Sequence, residues 1–258
     1  MVKISQIEEA MERLAPRGLA EAWDNVGLLV GEHEAYVEHV LLSLDIVDEV
    51  VEEAIELGAG LIITHHPPIF KPMDCITSQT ALGRRIIRLI RNEVAVFTSH
   101  TNLDIAEGGT NSRLAEVLGL INVENLLDNG MGRVGMLNTP TTLLELAETI
   151  KESLGANYVS YAGVPETIIR RVGLCTGAAA GGEFFHAAAK KACDVYITGD
   201  VRYHSAQAAQ DLGLTIIDAT HYYSEVIVLN PLKTYLQEKF PSLKITISNH
   251  NSQEINII

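Results

Sequence analysis

The stretch "LIITHHPP" (residues 61–68) decides how this chain is organised. An apolar run rich in Ile and Thr predicts a buried strand, and two histidines and two prolines end it. Adjacent residues of a regular strand point to opposite faces. Proline cannot donate to a sheet ladder, so we expect pairing to stop there and both imidazole rings to turn toward one spot. The alternative is a pair of ordinary strand-end histidines.

Strand and helix patterns alternate on either side of this stretch. We expect Asp45 to cap the helix that follows the first strand, and Gly58 to end it. Such alternation is typical of βαβ units with a largely parallel sheet. The predicted strands are 40–45, 61–66 and 94–104, and the predicted helices are 47–60, 80–93 and 110–119.

The second half of the chain repeats this order. Residues 171–204 follow the pattern of 39–66, and residues 214–225 follow that of 94–104. A shift of 121 positions (221 − 100 and 225 − 104) places His221 on His100 and Glu225 on Asp104. The pattern therefore predicts an internal duplication.

We accordingly expect an α/β protein of two similar lobes with mixed, largely parallel sheets. The first lobe is predicted over residues 1–125 and the second over 126–258, with 125–168 as a connecting insertion that carries a helix over 142–155.

Candidate metal ligands follow the predicted strands, where the active groups of parallel sheets lie. His221 and Glu225 are four residues apart and share a face on a helical turn. Separately, Asp104 is a common turn cap and the His221–Glu225 pair a common surface pair. Together, three imidazoles and two carboxylates offer up to seven N and O donors, which suit two ions of zinc, manganese or iron(II). The set is His65, His66, Asp104, His221 and Glu225.

Composition limits the partners. The chain is 47% hydrophobic and 20% charged, so it can bury a core, and its net charge of −14 argues against non-specific nucleic-acid binding. The three cysteines show no C-x-x-C spacing, which favours a reduced, cytoplasmic protein. No apolar run reaches the roughly 18 residues of a membrane span, and the amphipathic amino terminus does not look like a signal peptide.

Five motifs occur in order along the chain. With them the sequence resembles the NGG-interacting-factor-three-like family, also known as GTP cyclohydrolase 1 type 2 homologues. The chain lacks the long central insertion of some bacterial members. The motifs are "WDNVGLLVG" (23–31), "THHPPIF" (64–70), "SHTNLD" (99–104), "ITGDVRYH" (197–204) and "HYYSE" (221–225).

The resemblance implies two intertwined α/β lobes, a ring-shaped homohexamer, and two divalent metals on the five residues named above. It also implies a small-molecule substrate, possibly a nucleotide, whose guanine imidazole ring is opened by metal-bound hydroxide with release of formate. The alternative is a non-catalytic ring protein that stores, delivers or senses metal.

Some motif residues have open roles. His100 is a sixth possible ligand that the family pattern omits, and we favour a supporting role in which its N–H orients a ligand carboxylate. Asp200 and His204 are candidates for catalytic proton transfer or merely line the cleft. Trp23, Asp24 and Asn25 are interpreted as a capped turn with a packed indole or, alternatively, as residues with a role beside the metal pocket. The Gly-rich 176–183 stretch is a weak anion cradle.

Overall fold

The computed structural model describes residues 1–255 and divides them into two compact units. The first unit comprises Met1–Ala106 and Val228–Ser252. The second comprises Glu107–Ile227 and the described residues from Gln253 onward. The chain therefore leaves the first unit, builds the second, and returns.

The secondary-structure elements fall into three consecutive stretches of the chain. Residues 1–106 form β1 (Val2–Lys3), α1 (Ile4–Leu14), β2 (Gly27–Val30), β3 (Tyr36–Val37), β4 (His39–Ser43), α2 (Asp48–Leu57), β5 (Leu61–Thr64), α3 (Ala81–Arg91), β6 (Ala95–Thr98) and α4 (Thr101–Ile105). Residues 107–227 form α5 (Thr110–Val117), β7 (Ile121–Asn125), β8 (Arg133–Thr142), α6 (Leu143–Ser153), β9 (Ser160–Ala162), β10 (Ile168–Leu174), α7 (Gly182–Lys190), β11 (Val195–Thr198), α8 (Tyr203–Asp211), β12 (Thr215–Asp218) and α9 (His221–Val226). Residues 228–252 form α10 (Leu229–Lys239) and β13 (Lys244–Ile247). Within residues 1–255, none of the helices has the length and apolarity needed to cross a membrane.

The first unit is built on a five-stranded sheet in the order β13-β4-β5-β6-β2. Neighbouring strands from β13 to β6 are parallel, and β2 pairs antiparallel with β6. The central strands are buried on both faces, as expected of parallel strands covered by helices. Apolar residues of β4, α2, β5 and β6 form a core cluster that includes Leu41, Val50, Ile62 and Val96.

The second unit has a six-stranded sheet of order β7-β8-β10-β11-β12-β9, which repeats the β4-β5-β6-β2 part of this arrangement. Its strand β8 pairs antiparallel with β10, whereas β13 pairs parallel with β4. Strands β10, β11 and β12 are parallel, as β4, β5 and β6 are, and β9 pairs antiparallel with β12 as β2 does with β6. The mixed, largely parallel α/β fold and its internal repeat are thus as the sequence predicted.

The units divide the chain differently from the predicted lobes. Residues 107–125 group with the second unit and residues 228–252 with the first, whereas the predicted boundary lay between 125 and 126. The stretch 125–168 is more than a connecting insertion, because β8 and β9 pair within the six-stranded sheet. Its predicted helix is α6.

Three strands of the first unit end at one level. The register aligns Ser43 of β4 with Thr64 of β5, and Thr64 with Thr98 of β6. Pairing continues past Thr64, because the amides of His65 and His66 donate to the carbonyls of Ser43 and Leu44. The ladder therefore includes both histidines, as expected. It ends at the prolines, of which Pro67 has no N–H to continue it.

One predicted helix cap is also wrong. The N-cap of α2 is Val47, which makes no side-chain capping bond, and Asp45 lies a further two residues back along the chain. Gly58 does end this helix, in the left-handed region at φ 63°. The Asp45 carboxylate instead accepts a hydrogen bond from Nδ1 of His66 (3.0 Å).

Buried His39 links the stability of the first unit to pH. Its Nδ1–H donates to the Leu57 carbonyl (3.1 Å), and the Thr246 hydroxyl donates to Nε2 (2.8 Å). Burial lowers the pKa of His39 from the usual 6.5; the bond to Leu57 opposes this shift and nearby Lys244 reinforces it. The folded chain therefore holds a neutral ring at a pH where the unfolded chain already binds a proton. The stability is fully present above pH 6.5 and is lost as the pH falls through the folded pKa.

We predict that metal-free wild-type protein loses more stability between pH 8 and pH 5 than His39→Gln. The glutamine amide can donate to Leu57 and accept from Thr246 without titrating. The difference should approach, at most, about 1.4 kcal/mol per pH unit between the unfolded and folded pKa values. Urea denaturation with EDTA present measures it. Parallel pH profiles for the two proteins would show that His39 is not the linked group.

Candidate metal centre

Three histidine rings lie together at the carboxyl edge of the first unit's sheet. Ring centroids are 5.0 Å apart for His65 and His66, 5.1 Å for His65 and His100, and 5.6 Å for His66 and His100. One candidate ligand nitrogen from each ring lies within 4.8 Å of the other two. Three imidazole nitrogens at this spacing are a donor set for a transition metal. His100, which the sequence reasoning placed outside the ligand set, therefore becomes a candidate ligand.

Each of these rings presents Nδ1 to an oxygen acceptor. His65 donates to the Ser99 carbonyl (3.1 Å), His66 to the Asp45 carboxylate (3.0 Å) and His100 to the Asp24 carboxylate (2.9 Å). A carbonyl or an ionised carboxylate only accepts, so Nδ1 carries the hydrogen. In the neutral ring the lone pair is then on Nε2, which is the state that a metal-ligating histidine needs.

A buried carboxylate completes this group. Asp104 lies on α4, where its amide donates to the His100 carbonyl one helical turn back (3.0 Å). Its Oδ1 is 3.5 Å from Nε2 of His65. A neutral imidazole nitrogen and a carboxylate oxygen are both acceptors, so a cation bound by both would be stabilised there.

Asp24 has a role that the sequence reasoning underestimated. Its carboxylate accepts from His100 and from both the amide and the hydroxyl of Thr101. Burial raises the pKa of Asp24, but the bonds from His100 and Thr101 outweigh it and hold the pKa at about 2. Trp23 is not buried, since 58% of it is exposed. Asp24 and His100 are 76 residues apart in sequence, so no local pattern could reveal their contact.

The second unit carries a matching pair on α9. Nδ1 of His221 donates to Oδ2 of Asp200 (2.9 Å), and Nε2 lies 3.1 Å from Oε2 of Glu225. Glu225 is buried, and it faces the ring from four residues along the helix, as the spacing predicted. The geometry again leaves the imidazole lone pair on Nε2, beside a carboxylate.

Asp218 and two strained residues hold this pair in place. The Asp218 carboxylate accepts from the amides of Val201 and Thr220 (3.0 and 2.8 Å), which joins the two loops. Burial raises the pKa of Asp218; those two bonds oppose the shift, and the charge of Asp200 reinforces it. Asp200 and Thr220 have φ of 54° and 63°. Such left-handed conformations cost free energy outside glycine, and they cluster at functional sites.

Two glycines allow close packing against His221 and Glu225. A Cβ added at Gly177 would lie 2.2 Å from Oε1 of Glu225, and one at Gly199 would lie 2.5 Å from the His221 amide nitrogen. Gly177 also has φ +68° and donates its amide to the Ser224 hydroxyl (3.0 Å). Side chains at these positions would displace these two residues.

The predicted proton-transfer residues, Asp200 and His204, make different contacts in the second unit. Nδ1 of His204 contacts Oε1 of Gln207 (3.0 Å) on the exposed face of α8, while Asp200 accepts from His221. Their catalytic roles stay a prediction. In the Gly-rich stretch, the amides of Gly177 and Ala179 donate to side-chain hydroxyls of the protein, which weakens the anion-cradle interpretation.

The fold and the donor groups define an α/β protein with candidate metal-binding histidines and carboxylates. The model of the Duf34/NIF3 (NGG1p interacting factor 3) family matches residues 2–254, and the chain belongs to that family. The resemblance read from the motifs is thereby confirmed.

Similar sequences and similar solved structures point to the same family. A "GTP cyclohydrolase 1 type 2 homolog" of Clostridium perfringens is 40% identical over 247 residues, covering 93% of this chain and 94% of the relative. One of the same name from Clostridium acetobutylicum is 35% identical and covers 97% of each. The crystal structure of a Bacillus cereus protein related to NIF3 superposes with a TM-score of 0.93 at 27% identity, covering 99% of both chains.

We predict that Gly177→Ala impairs metal retention, because the new methyl group would collide with the Glu225 carboxylate. Gly155→Ala is the matched control. It has a similar φ of +61° and no atom within 4 Å of the added Cβ. Both variants should lose about 1 kcal/mol or more of stability from backbone strain, but only Gly177→Ala should lose metal. Elemental analysis after loading and desalting measures it. Equal metal content in both variants would contradict the close approach.

Proposed function

We propose that the protein is a divalent-metal-dependent hydrolase. The proposed ligands of two metal ions are His65, His66, Asp104, His221 and Glu225. His100 is the additional candidate from the geometry. Their N and O donors suit zinc, manganese or iron(II), and the absence of thiolate from the set argues against a structural zinc site.

One observation carries this proposal. In His65, His66, His100 and His221, Nδ1 is oriented by an oxygen acceptor, which leaves Nε2 as the donor atom. Exposed His33 and His204 also present Nδ1 to an oxygen atom, but within residues 1–255 the groups that could hold a metal ion include neither of them. Bound metals at such a site would activate water and polarise a substrate carbonyl or ring.

We propose a nucleotide as the substrate and the hydrolytic opening of the guanine imidazole ring, with formate released, as the reaction. The shared name of the two clostridial relatives supports this choice. In the proposed reaction Asp24, Asp45 and Asp200 keep the imidazoles in one tautomer. His204 moves protons without binding metal. We also expect a cytoplasmic homohexamer, as the family resemblance implies.

A non-catalytic role in metal storage or delivery is the second candidate. Asp200 is engaged by His221, and His204 by Gln207, so the two predicted proton-transfer residues are each hydrogen-bonded elsewhere. A metal carrier needs ligands but no acid–base pair. The hydrogen bonds of Asp200 and His204 therefore make a metal carrier the alternative to a hydrolase.

We predict about two divalent metals per chain after loading. Glu225→Ala should lower this number, because it removes a buried carboxylate that can serve both ions. Lys239→Ala, which removes an exposed lysine at the end of α10, should leave it unchanged. Inductively coupled plasma analysis of desalted protein measures the stoichiometry. One metal or none in wild type, with no change in Glu225→Ala, would rule out the dinuclear site.

The hydrolase proposal is tested by formate release from GTP with manganese, zinc or iron(II) supplied. We predict that His204→Ala retains both metals yet slows turnover about 10²–10⁴-fold, the usual contribution of general acid–base catalysis. His186→Ala removes another exposed histidine of the second unit and should not slow it.

Two other outcomes would change this assignment. Unaltered turnover in His204→Ala would remove that residue from the mechanism. An absence of turnover with every metal and across a panel of nucleotides would favour the carrier.

A further inference from the structure

Two large aromatic side chains of the first unit are exposed side by side. Trp23 is 58% exposed and Phe70 is 46% exposed. Their ring centroids are 5.7 Å apart and their planes are inclined at 58°. Exposing an indole and a phenyl ring to water forgoes hydrophobic free energy, and neighbouring exposed aromatics therefore point to a binding surface.

Hydrogen bonds fix the backbone that carries these rings. The Asn25 side-chain amide donates to the Ile69 carbonyl, which joins the turn that follows Trp23 to the loop that carries Phe70. Asp24 is in turn bound by His100 and Thr101. The aromatic pair is thus built on anchored segments, and a ligand that binds there need not pay to order them.

The pair also lies beside the histidine cluster. The ring centroid of His100 is 6.2 Å from that of Trp23 and 6.5 Å from that of Phe70, with edge-on geometry in both cases. A molecule that contacts both aromatic rings is therefore next to a candidate metal ligand of the same unit.

We propose that Trp23 and Phe70 form a stacking site for the planar heteroaromatic ring of the substrate. This inference rests on the proposed function, because it names the part of that substrate which the site recognises. A flat ring can stack on one aromatic face and meet the other edge-on, since the two planes are inclined. Both arrangements are favourable for aromatic pairs.

The inclined faces of Trp23 and Phe70 favour a heteroaromatic ring over other ligands. An aliphatic chain would gain from burial alone and has no use for inclined planar faces. A nucleobase gains from both, and base–aromatic stacking tolerates any base identity because every base has a π-face. The aromatic pair would thus bind the ring, and hydrolytic specificity would be set at the metal ligands.

Trp23 is the only tryptophan, so its fluorescence reports on this site alone. In metal-loaded protein we expect GTP to quench Trp23 emission, and tripolyphosphate, which has no ring, to leave it unchanged. Phe70→Leu should weaken GTP binding about 5- to 150-fold, the range of one stacking contact. Tyr36→Leu is the matched control. It removes another exposed aromatic ring of the first unit, 60% exposed on β3, and should bind GTP as wild type does.

Several results would overturn the stacking site. One is an absence of quenching by every ring in a panel of GTP, ATP, CTP and flavin mononucleotide. Another is equal quenching by tripolyphosphate. A third is emission that changes on dilution of the protein but not with ligand, which would make the aromatic pair a contact between copies of the chain.

The stacking site and the hydrolase can fail separately. Quenching by GTP without formate release would support stacking while the hydrolase proposal fails. Formate release with the same KM in Phe70→Leu as in wild type would remove the stacking site and leave the hydrolase. If both hold, Phe70→Leu raises KM and changes kcat little, because its ring binds the substrate and takes no part in proton transfer.

Discussion

The parallel pairing of β4, β5 and β6 is the constraint on which the first unit's site depends. Because parallel strands in register end at one level, residues that follow Ser43, Thr64 and Thr98 meet at one edge. Two of the three histidine rings there then take their acceptors from neighbouring strand ends: His66 from Asp45 after β4, and His65 from Ser99 after β6. The sheet therefore sets ring position and tautomer together.

The second unit uses the same parallel-strand topology to position different candidate donors. Its parallel strands lead into the loops that carry Gly177, Gly199 and Thr220, and its pair, His221 and Glu225, lies on one short helix. Glycine permits the close packing of loops around Glu225. The strained backbone of Asp200 and Thr220 positions the Asp200 carboxylate and the His221 ring that follows Thr220. Duplication supplied two similar scaffolds, and local differences gave one unit three imidazoles and the other a buried glutamate.

Much of the fold and of the candidate site could be predicted, because both depend on the pattern of residues that are close together in the sequence. Strand ends and helical spacing are visible in short runs of residues, and the strand ends placed His65, His66 and Asp104 at one edge. The repeat is visible when residues 171–204 are compared with 39–66. The unit boundaries could not be predicted, because β13 joins the first sheet beside β4 from about 200 residues along the chain. The same limit hid the contact of Asp24 with His100. The exposure of Trp23 was missed since sequence gives no measure of what covers an indole.

The electrostatics of both groups tie metal binding to protonation. Glu225 and Asp104 are buried carboxylates that face Nε2 of a histidine at 3.1 and 3.5 Å. With neutral imidazoles the facing atoms are acceptors, so the arrangement is stabilised by a proton on the ring or by a cation that both atoms ligate. A metal that binds must displace any such proton, which makes its affinity fall as the pH falls. Because the ligands are held by the folded sheets, the same ion also adds to the free energy of unfolding. A metal bound by these candidate imidazole and carboxylate ligands would therefore couple proton release to stability.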